Sequence, residues 1–80
     1  MSTKKLSVRL VKAARALLDW SQDDLAKASG VSSPTIGRLE AEDGELGGRA
    51  ETGEKLRRAL EKAGIEFTNG NAPGVRLKKR

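Results

Sequence analysis

Apolar residues recur near the start of the chain at positions that fall on one face of a helix with 3.6 residues per turn. This spacing predicts an amphipathic helix over residues 6–18. The apolar positions that define its buried face are Leu6, Leu10, Ala13, Ala14, Leu17 and Leu18. Residues 1–5, MSTKK, do not continue the pattern, and we expect them to be disordered.

The segment WSQDDLAKASG predicts a second, shorter helix over residues 22–29. Ser21 can cap its N-terminus, and Asp24 stands three residues later, where its carboxylate can complete a variant of the capping box. Gly30 can adopt the left-handed conformation that commonly ends a helix. Local residue types therefore specify both ends of this helix.

A third helix is predicted to begin almost at once. Ser32 can serve as its N-cap, and Pro34 is tolerated because amides in the first turn of a helix have no partner inside the helix. The helix should run over about residues 33–41. Two helices joined by three or four residues that include a glycine form a helix-turn-helix connection.

The pattern changes twice in the second half of the chain. Residues 42–49 are rich in glycine and predict a loop, and the helical spacing returns from about Thr52 until Gly64 ends it. Residues 65–68 and 75–78 then alternate apolar and polar side chains on either side of NGNAPG, as in a strand–loop–strand unit. Because a lone hairpin is marginal in water, we expect these strands to pair across the two-fold axis of a homodimer.

Charge is distributed unevenly along the 80 residues, whose formal net charge is +5. Residues 1–18 carry five basic groups and no acidic one, residues 19–54 carry nine acidic and three basic groups, and residues 55–80 carry eight basic and two acidic groups. A basic excess favours a polyanionic partner. Because the basic segments are separated, a surface that binds nucleic acid has to be assembled from distant parts of the chain.

The residue types exclude several kinds of site. The chain has no cysteine, which rules out disulfides and thiolate metal sites, and no histidine, which is the usual general base. No apolar stretch is long enough for a membrane span or a signal peptide. We therefore expect a cytoplasmic protein with no cofactor and no enzymatic activity. Its length predicts one domain, at residues 6–64, followed by a dimerisation tail at residues 65–80.

The stretch from Gln22 to Leu39 carries the residue pattern of a helix-turn-helix. Its inward positions are apolar, the position where the second helix presses on the first is small, and a glycine makes the turn. These residues are Leu25, Ala26, Gly30, Val31, Ile36 and Leu39. In this pattern the chain resembles the Cro/lambda-repressor family, often labelled XRE, over about residues 6–64. The resemblance implies an all-α, lambda-repressor-like DNA-binding domain of four or five helices, followed here by a short β-hairpin segment.

In that family the third helix lies in the major groove, and its base-facing positions correspond to Ser33, Pro34 and Arg38. Arg38 is best suited to specify a base, since a guanidinium can donate two hydrogen bonds to guanine O6 and N7. Pro34 can offer apolar contact alone, such as to a thymine methyl group. Gly37, in the middle of the helix, departs from the family pattern and would let the backbone approach DNA closely.

The resemblance also implies contacts to the DNA backbone. The positions near phosphates correspond to Gln22, Ser32 and Thr35. The loop at 42–49 is longer and more acidic than is usual in the family, and Arg49 is the one residue in it that could bind a phosphate. Arg15 and Glu40 correspond to an ion pair that sets the angle of the recognition helix in relatives.

These features predict a transcriptional regulator, most simply a repressor, that reads an inverted-repeat operator as a homodimer. One alternative is an antitoxin or partner-binding module, for which a protein such as a toxin is the main partner and DNA binding is secondary. Another is a helical adaptor that has lost DNA binding. The acidic stretch at 40–51, next to helix 3, favours this adaptor because it would repel phosphates.

Overall fold

Four helices and a two-stranded antiparallel hairpin make up the part of the chain that the computed structural model describes, residues 6–68 and 74–78. Residues 1–5, which were expected to be disordered, and the turn between the strands, residues 69–73, lie outside the described residues. In chain order the elements are α1 (Val8–Leu18), α2 (Gln22–Ser29), α3 (Ser33–Glu40), α4 (Ala50–Lys62), β1 (Ile65–Thr68) and β2 (Gly74–Leu77).

The first helix begins two residues later than its apolar spacing predicted. The side chain of Ser7 caps α1 by accepting a hydrogen bond from the amide three residues on, at 3.1 Å. Leu6 therefore lies outside the helix, and its carbonyl accepts from the amide of Leu46 at 2.9 Å, while the amide of Val8 donates to the carbonyl of Gly44 at 2.9 Å. The helix thus starts two residues after the approximate prediction, because Leu6 pairs with the loop that follows α3. The predicted apolar face was partly wrong: α1 buries Val8, Val11 and Ala14, whereas Leu17 is 44% exposed.

The predicted ends of α2 are confirmed. The amide of Asp24 donates to the Ser21 hydroxyl at 3.0 Å, and the Asp24 carboxylate accepts from the amide of Ser21 at 2.9 Å, which completes the capping box. The hydrogen bond from the Ser21 amide lowers the pKa of Asp24 below its usual value. Gly30 ends the helix with a φ of 80°, and Ser32 caps α3 through the amide of Thr35.

The core lies where the four helices and β1 meet. Its largest fully buried side chains are Leu25, Ile36, Leu56, Leu60, Ile65, Val8 and Val11. Burial of each large aliphatic side chain contributes about 1.5–3 kcal/mol relative to exposure. Trp20, just before α2, is partly buried against this core. Because one residue of the core comes from β1, the C-terminal segment is packed onto the helical domain.

The two strands pair with each other within one chain, in a register that places Ile65 opposite Leu77 and Phe67 opposite Val75. The hairpin packs β1 against α4 and β2 against α1. These contacts supply the support that an isolated hairpin lacks. The strands that were expected to pair between two chains thus pair with each other inside one chain.

The loop between α3 and α4 covers residues 41–49, because α3 ends at Glu40 and α4 begins at Ala50, two residues before the helical spacing predicted. Gly48 has a φ of 81°, a conformation that a side chain would strain, and a Cβ there would lie 3.2 Å from a methyl carbon of Leu39. Glycine at this position therefore lets the loop pack closely against the end of α3. Arg49 occupies the N-cap position of α4, with no side-chain hydrogen bond to the helix.

Candidate nucleic-acid interface

The third helix has one face in the core and one face open to solvent. Ile36 and Glu40, four residues apart, are both buried, at 0% and 4% exposure. Pro34 and Arg38, also four residues apart, are exposed on another face of the same helix. The structure thus places these two predicted base contacts side by side on the outer surface of α3.

The orientation of α3 depends on an ion pair between Arg15 and Glu40. The Arg15 guanidinium donates from Nε to Oε2 of Glu40 at 3.0 Å and from Nη2 to Oε1 at 2.6 Å. The two side chains are 18% and 3% exposed. Burial by itself would raise the pKa of Glu40, but hydrogen bonds from Arg15 and Gln22 outweigh it and hold this pKa below its usual value.

The same network joins three helices. Nη1 of Arg15 donates to the backbone carbonyl of Trp20 at 3.0 Å, and Nε2 of Gln22 donates to Oε1 of Glu40 at 3.1 Å. Arg15 lies on α1, Gln22 on α2 and Glu40 on α3. Every buried side-chain nitrogen and oxygen among the described residues has a hydrogen-bond partner. Charge-assisted hydrogen bonds of this kind are short and directional, and here they connect α3 to α1 and α2.

Gln22 was expected to contact a phosphate, and the structure gives its side chain a partner inside the protein. Its amide nitrogen is bonded to Glu40, and its amide oxygen lies 3.4 Å from the place that a Cβ on Gly37 would occupy. The missing side chain at position 37 leaves room for this amide beside α3. The backbone amide of Gln22, in the first turn of α2, is the group that stays available to a phosphate.

The hydroxyl groups at the start of α3 are also bonded within the protein. The Ser32 hydroxyl accepts from the amide of Thr35 at 3.3 Å and donates to the Thr35 hydroxyl at 2.9 Å. Because a hydroxyl can both accept and donate, the Thr35 hydroxyl can accept from Ser32 and still donate to a phosphate. The Ser33 hydroxyl donates to the carboxylate of Asp23, at the start of α2.

An open groove of about 490 Å³ lies between the end of α3, the following loop and the start of α4. It is lined by Thr35, Arg38, Leu39, Glu42, Gly47, Gly48, Arg49 and Thr52. The groove brings together Thr35, Arg38 and Arg49, three predicted DNA contacts that come from separate parts of the sequence. The N-terminus of α4 adds the partial positive charge of a helix end, while Glu42 is the acidic residue of the lining.

The acidic loop repels anions less than its composition suggested. Arg9 on α1 donates to both carboxylate oxygens of Asp43, at 3.1 and 2.9 Å. This side-chain hydrogen bonding lowers the pKa of Asp43 and neutralises one of the charges next to α3. Sequence reasoning missed the pair because 34 residues separate its members, and no local spacing links them.

The helices α2 and α3 are short and are joined by a glycine turn. The second has a buried face, an exposed face and an anchoring ion pair, and this arrangement defines a helix-turn-helix domain. A family model described as helix-turn-helix matches residues 11–50, which is half of the chain. The chain belongs to this family, the Cro/C1-type or XRE helix-turn-helix proteins, and the family indicates DNA binding. A comparison with curated proteins finds no significant match. Within residues 6–68 and 74–78, no helix has the length and apolar character that crossing a membrane requires.

Proposed function

We propose that this protein is a transcriptional regulator, most simply a repressor, that reads double-stranded DNA with α3 in the cytoplasm and is not an enzyme. The observation that carries the proposal is the exposure of Pro34 and Arg38 on a helix whose opposite face is anchored by Ile36 and Glu40. A lambda-repressor-like arrangement would set the exposed face of α3 in the major groove. The anchored face would keep the helix rigid there.

Base contacts and phosphate contacts have different consequences, and the interface offers candidates for both. Arg38 is the donor suited to guanine O6 and N7. The backbone amide of Gln22, the hydroxyl of Thr35 and the guanidinium of Arg49 suit phosphates. Phosphate contacts supply salt-dependent affinity with little sequence preference, whereas base contacts select the operator. Because the Ser33 hydroxyl already donates to Asp23 and Pro34 has no polar side chain, Arg38 is the predicted base contact that can donate hydrogen bonds to a base.

The first prediction separates these roles by comparing Arg38→Ala with Arg49→Ala. Arg38→Ala should weaken operator binding by about 1–3 kcal/mol and bring it closer to binding of random DNA. Arg49→Ala should weaken binding to the operator and to random DNA to a similar extent. It should also reduce the slope of log K against log salt concentration by about 1. Fluorescence anisotropy with operator and scrambled duplexes at several salt concentrations would measure this. An equal loss on both duplexes for Arg38→Ala would show that this residue binds a phosphate.

A regulator that reads an inverted repeat needs two copies, and we propose that an outer edge of the hairpin joins them. The amide of Lys78 donates to the carbonyl of Gly64 at 2.8 Å, which sets the hydrogen-bond phase of the hairpin. In this phase the amides of Val75 and Leu77 point away from β1, towards the outer edge of β2. Ile65, on the opposite edge, is 2% exposed, whereas Leu77 is 41% exposed. The greater exposure of Leu77 supports the choice of the edge of β2 for a second copy.

The edge of β2 is self-complementary when two copies meet antiparallel. Centring the pair on Arg76 would place Val75 of each copy opposite Leu77 of the other, so that apolar side chains meet on one face. On the other face, two Arg76 side chains would lie close together. Each is bonded to Glu66 of its own chain at 2.7 Å, and this pairing offsets the repulsion between like charges. So short an interface suggests a weak dimer that operator binding strengthens.

The second prediction tests this edge with Val75→Pro. Proline removes an amide that points outward, so it should leave the hydrogen bonds within the hairpin intact while blocking a second chain. Sedimentation equilibrium should show a monomer for Val75→Pro and self-association for the matched control Val75→Ala, which keeps the amide. If Val75→Pro associates as strongly as Val75→Ala, the edge of β2 is not the interface.

One observation favours the antitoxin alternative. On α4, Lys55, Arg58 and Lys62 are exposed at helical spacing, and basic side chains so placed suit an acidic protein partner. Co-purification of a partner that still binds after Arg38→Ala would favour this alternative. DNA binding without any partner, with the loss of specificity described for Arg38→Ala, would favour the regulator.

A further inference from the structure

The hydrogen bond between Ser33 and Asp23 connects the first residue of α3 to the first turn of α2. Asp23 is exposed and does not take part in the capping box, which uses Asp24. The bond therefore has no role in ending or starting a helix. It lies at the end of α3 opposite to Arg38, where the proposed function puts a side chain against the base edges.

The direction of this hydrogen bond follows from the two groups. An ionised carboxylate carries no proton and can only accept, so the Ser33 hydroxyl must be the donor. Once its proton is committed to Asp23, the hydroxyl oxygen can offer only lone pairs to any other partner. The free carboxylate oxygen of Asp23 also only accepts. This end of α3 thus presents acceptors, whereas a serine without such a partner could either donate or accept.

Base edges in the major groove differ in what they offer to an acceptor. Adenine and cytosine present amino donors at N6 and N4, while guanine O6 and N7 and thymine O4 are acceptors. An acceptor placed against guanine or thymine would leave two lone-pair groups facing each other, which costs free energy when water is excluded. The acceptors at Ser33 and Asp23 therefore suit adenine or cytosine.

We propose that Asp23 sets the base preference at the start of the recognition helix, by holding Ser33 as an acceptor that selects adenine or cytosine. This inference rests on the proposed function, since it needs Ser33 to face the bases. Arg38 carries donors alone and lies five residues further along α3, roughly 7.5 Å along the axis at 1.5 Å per residue. Because the recognition helix lies in the major groove, residues this far apart on α3 face different base pairs, so the two preferences fall at separate positions of each half-site.

The test is a selection from a random duplex pool with the full chain as wild type, Asp23→Asn and Ser33→Ala. Wild type should select adenine or cytosine at a second position of the half-site, separate from its guanine, with a preference of roughly tenfold over the other two bases. Asp23→Asn and Ser33→Ala should still select the guanine, but their preference for adenine or cytosine should fall below about threefold. In Asp23→Asn the amide can donate, so guanine or thymine should enter at that position.

Asp19→Asn is the matched control for charge. Asp19 is exposed and has a φ of 59°, a conformation that asparagine tolerates well. The variant removes one negative charge near α2 without touching Ser33, so it should keep the wild-type preference. A change in the preference of Asp19→Asn as large as that of Asp23→Asn would overturn the inference, because charge alone would then explain the effect.

The remaining outcomes separate this inference from the function on which it rests. If wild type binds a defined operator and Asp23→Asn selects the same bases, Asp23 only tethers α2 to α3 and the inference is wrong, whatever happens to Tm. If wild type shows no salt-sensitive binding to any duplex at low ionic strength, the proposed function itself is wrong. If Asp23→Asn shifts the preference for adenine or cytosine and still selects the guanine, the result supports both the inference about Asp23 and the proposed function.

Discussion

Replacing Glu40 by glutamine tests the physical basis of the interface most directly. The variant keeps the shape of the side chain but removes the charge that Arg15 faces, leaving a guanidinium that is 18% exposed opposite a neutral amide. Removing one partner of a buried ion pair costs about 3–5 kcal/mol. Because water screens part of the Arg15 charge, we expect about 2–3 kcal/mol. The free energy of unfolding of a domain of this size is about 4–12 kcal/mol, so the variant should still fold.

Thermal unfolding followed by circular dichroism measures this effect. A loss of 1 kcal/mol lowers the Tm of a domain of this size by about 4–8 °C, so Glu40→Gln should melt at least about 8 °C below wild type. Operator affinity should also fall, because the angle of α3 is no longer fixed. Replacing both partners, as Arg15→Met with Glu40→Leu, should restore much of the stability, since no buried charge is then unpaired.

Asp43→Asn is the matched control, because the chain contains a second arginine–carboxylate pair with two hydrogen bonds. Arg9 and Asp43 have nearly the same geometry as Arg15 and Glu40, but their side chains are 81% and 64% exposed. Exposed pairs contribute little to stability, so Asp43→Asn should leave Tm almost unchanged. If both variants shift Tm equally, or if Glu40→Gln melts within a few degrees of wild type, burial does not decide the strength of these pairs.

Two further predictions concern pH and the glycine of α3. The pKa of Glu40 is lower in the folded chain than its ordinary value, so the ion pair stabilises the fold above the pKa of the unfolded state, and this contribution is lost as pH falls through the folded value. Acid titrations of unfolding should therefore show wild type losing its advantage over Glu40→Gln below about pH 4, and a constant difference would contradict this. Gly37→Ala should raise Tm, because alanine favours a helix by about 1 kcal/mol and its Cβ would lie 3.4 Å from the Gln22 amide oxygen, an ordinary contact. The same methyl group should weaken operator binding in an anisotropy assay, and unchanged affinity would show that position 37 does not approach DNA.

Short-range signals were sufficient for the helix-turn-helix itself. The cap at Ser21 and Asp24 and the left-handed Gly30 act over three or four residues, and the inward positions Leu25 and Ile36 follow helical spacing and are fully buried. Backbone geometry links such residues before any tertiary contact forms. For this reason the sequence alone predicts the elements, their order and the exposed face of α3.

Tertiary packing decided which polar groups meet. Arg9 reaches Asp43, Gln22 reaches Glu40 and Ser33 reaches Asp23 across 34, 18 and 10 residues. These partners come together only after the helices have packed, because a side chain can reach several acceptors of the right chemistry and the spatial arrangement selects one. Packing also moved the start of α1 from Leu6 to Val8, through hydrogen bonds to a loop distant in the chain.

The same distinction applies to the C-terminal segment. Alternation at 65–68 and 75–78 was enough to predict two strands, since strand periodicity is a local property. Alternation cannot tell which strand a hydrogen-bonding edge will meet, because every edge offers the same amides and carbonyls. The burial of Ile65 in the helical core and the packing of β2 on α1 decided that the strands pair within one chain. The edge of β2 is what remains for a second copy.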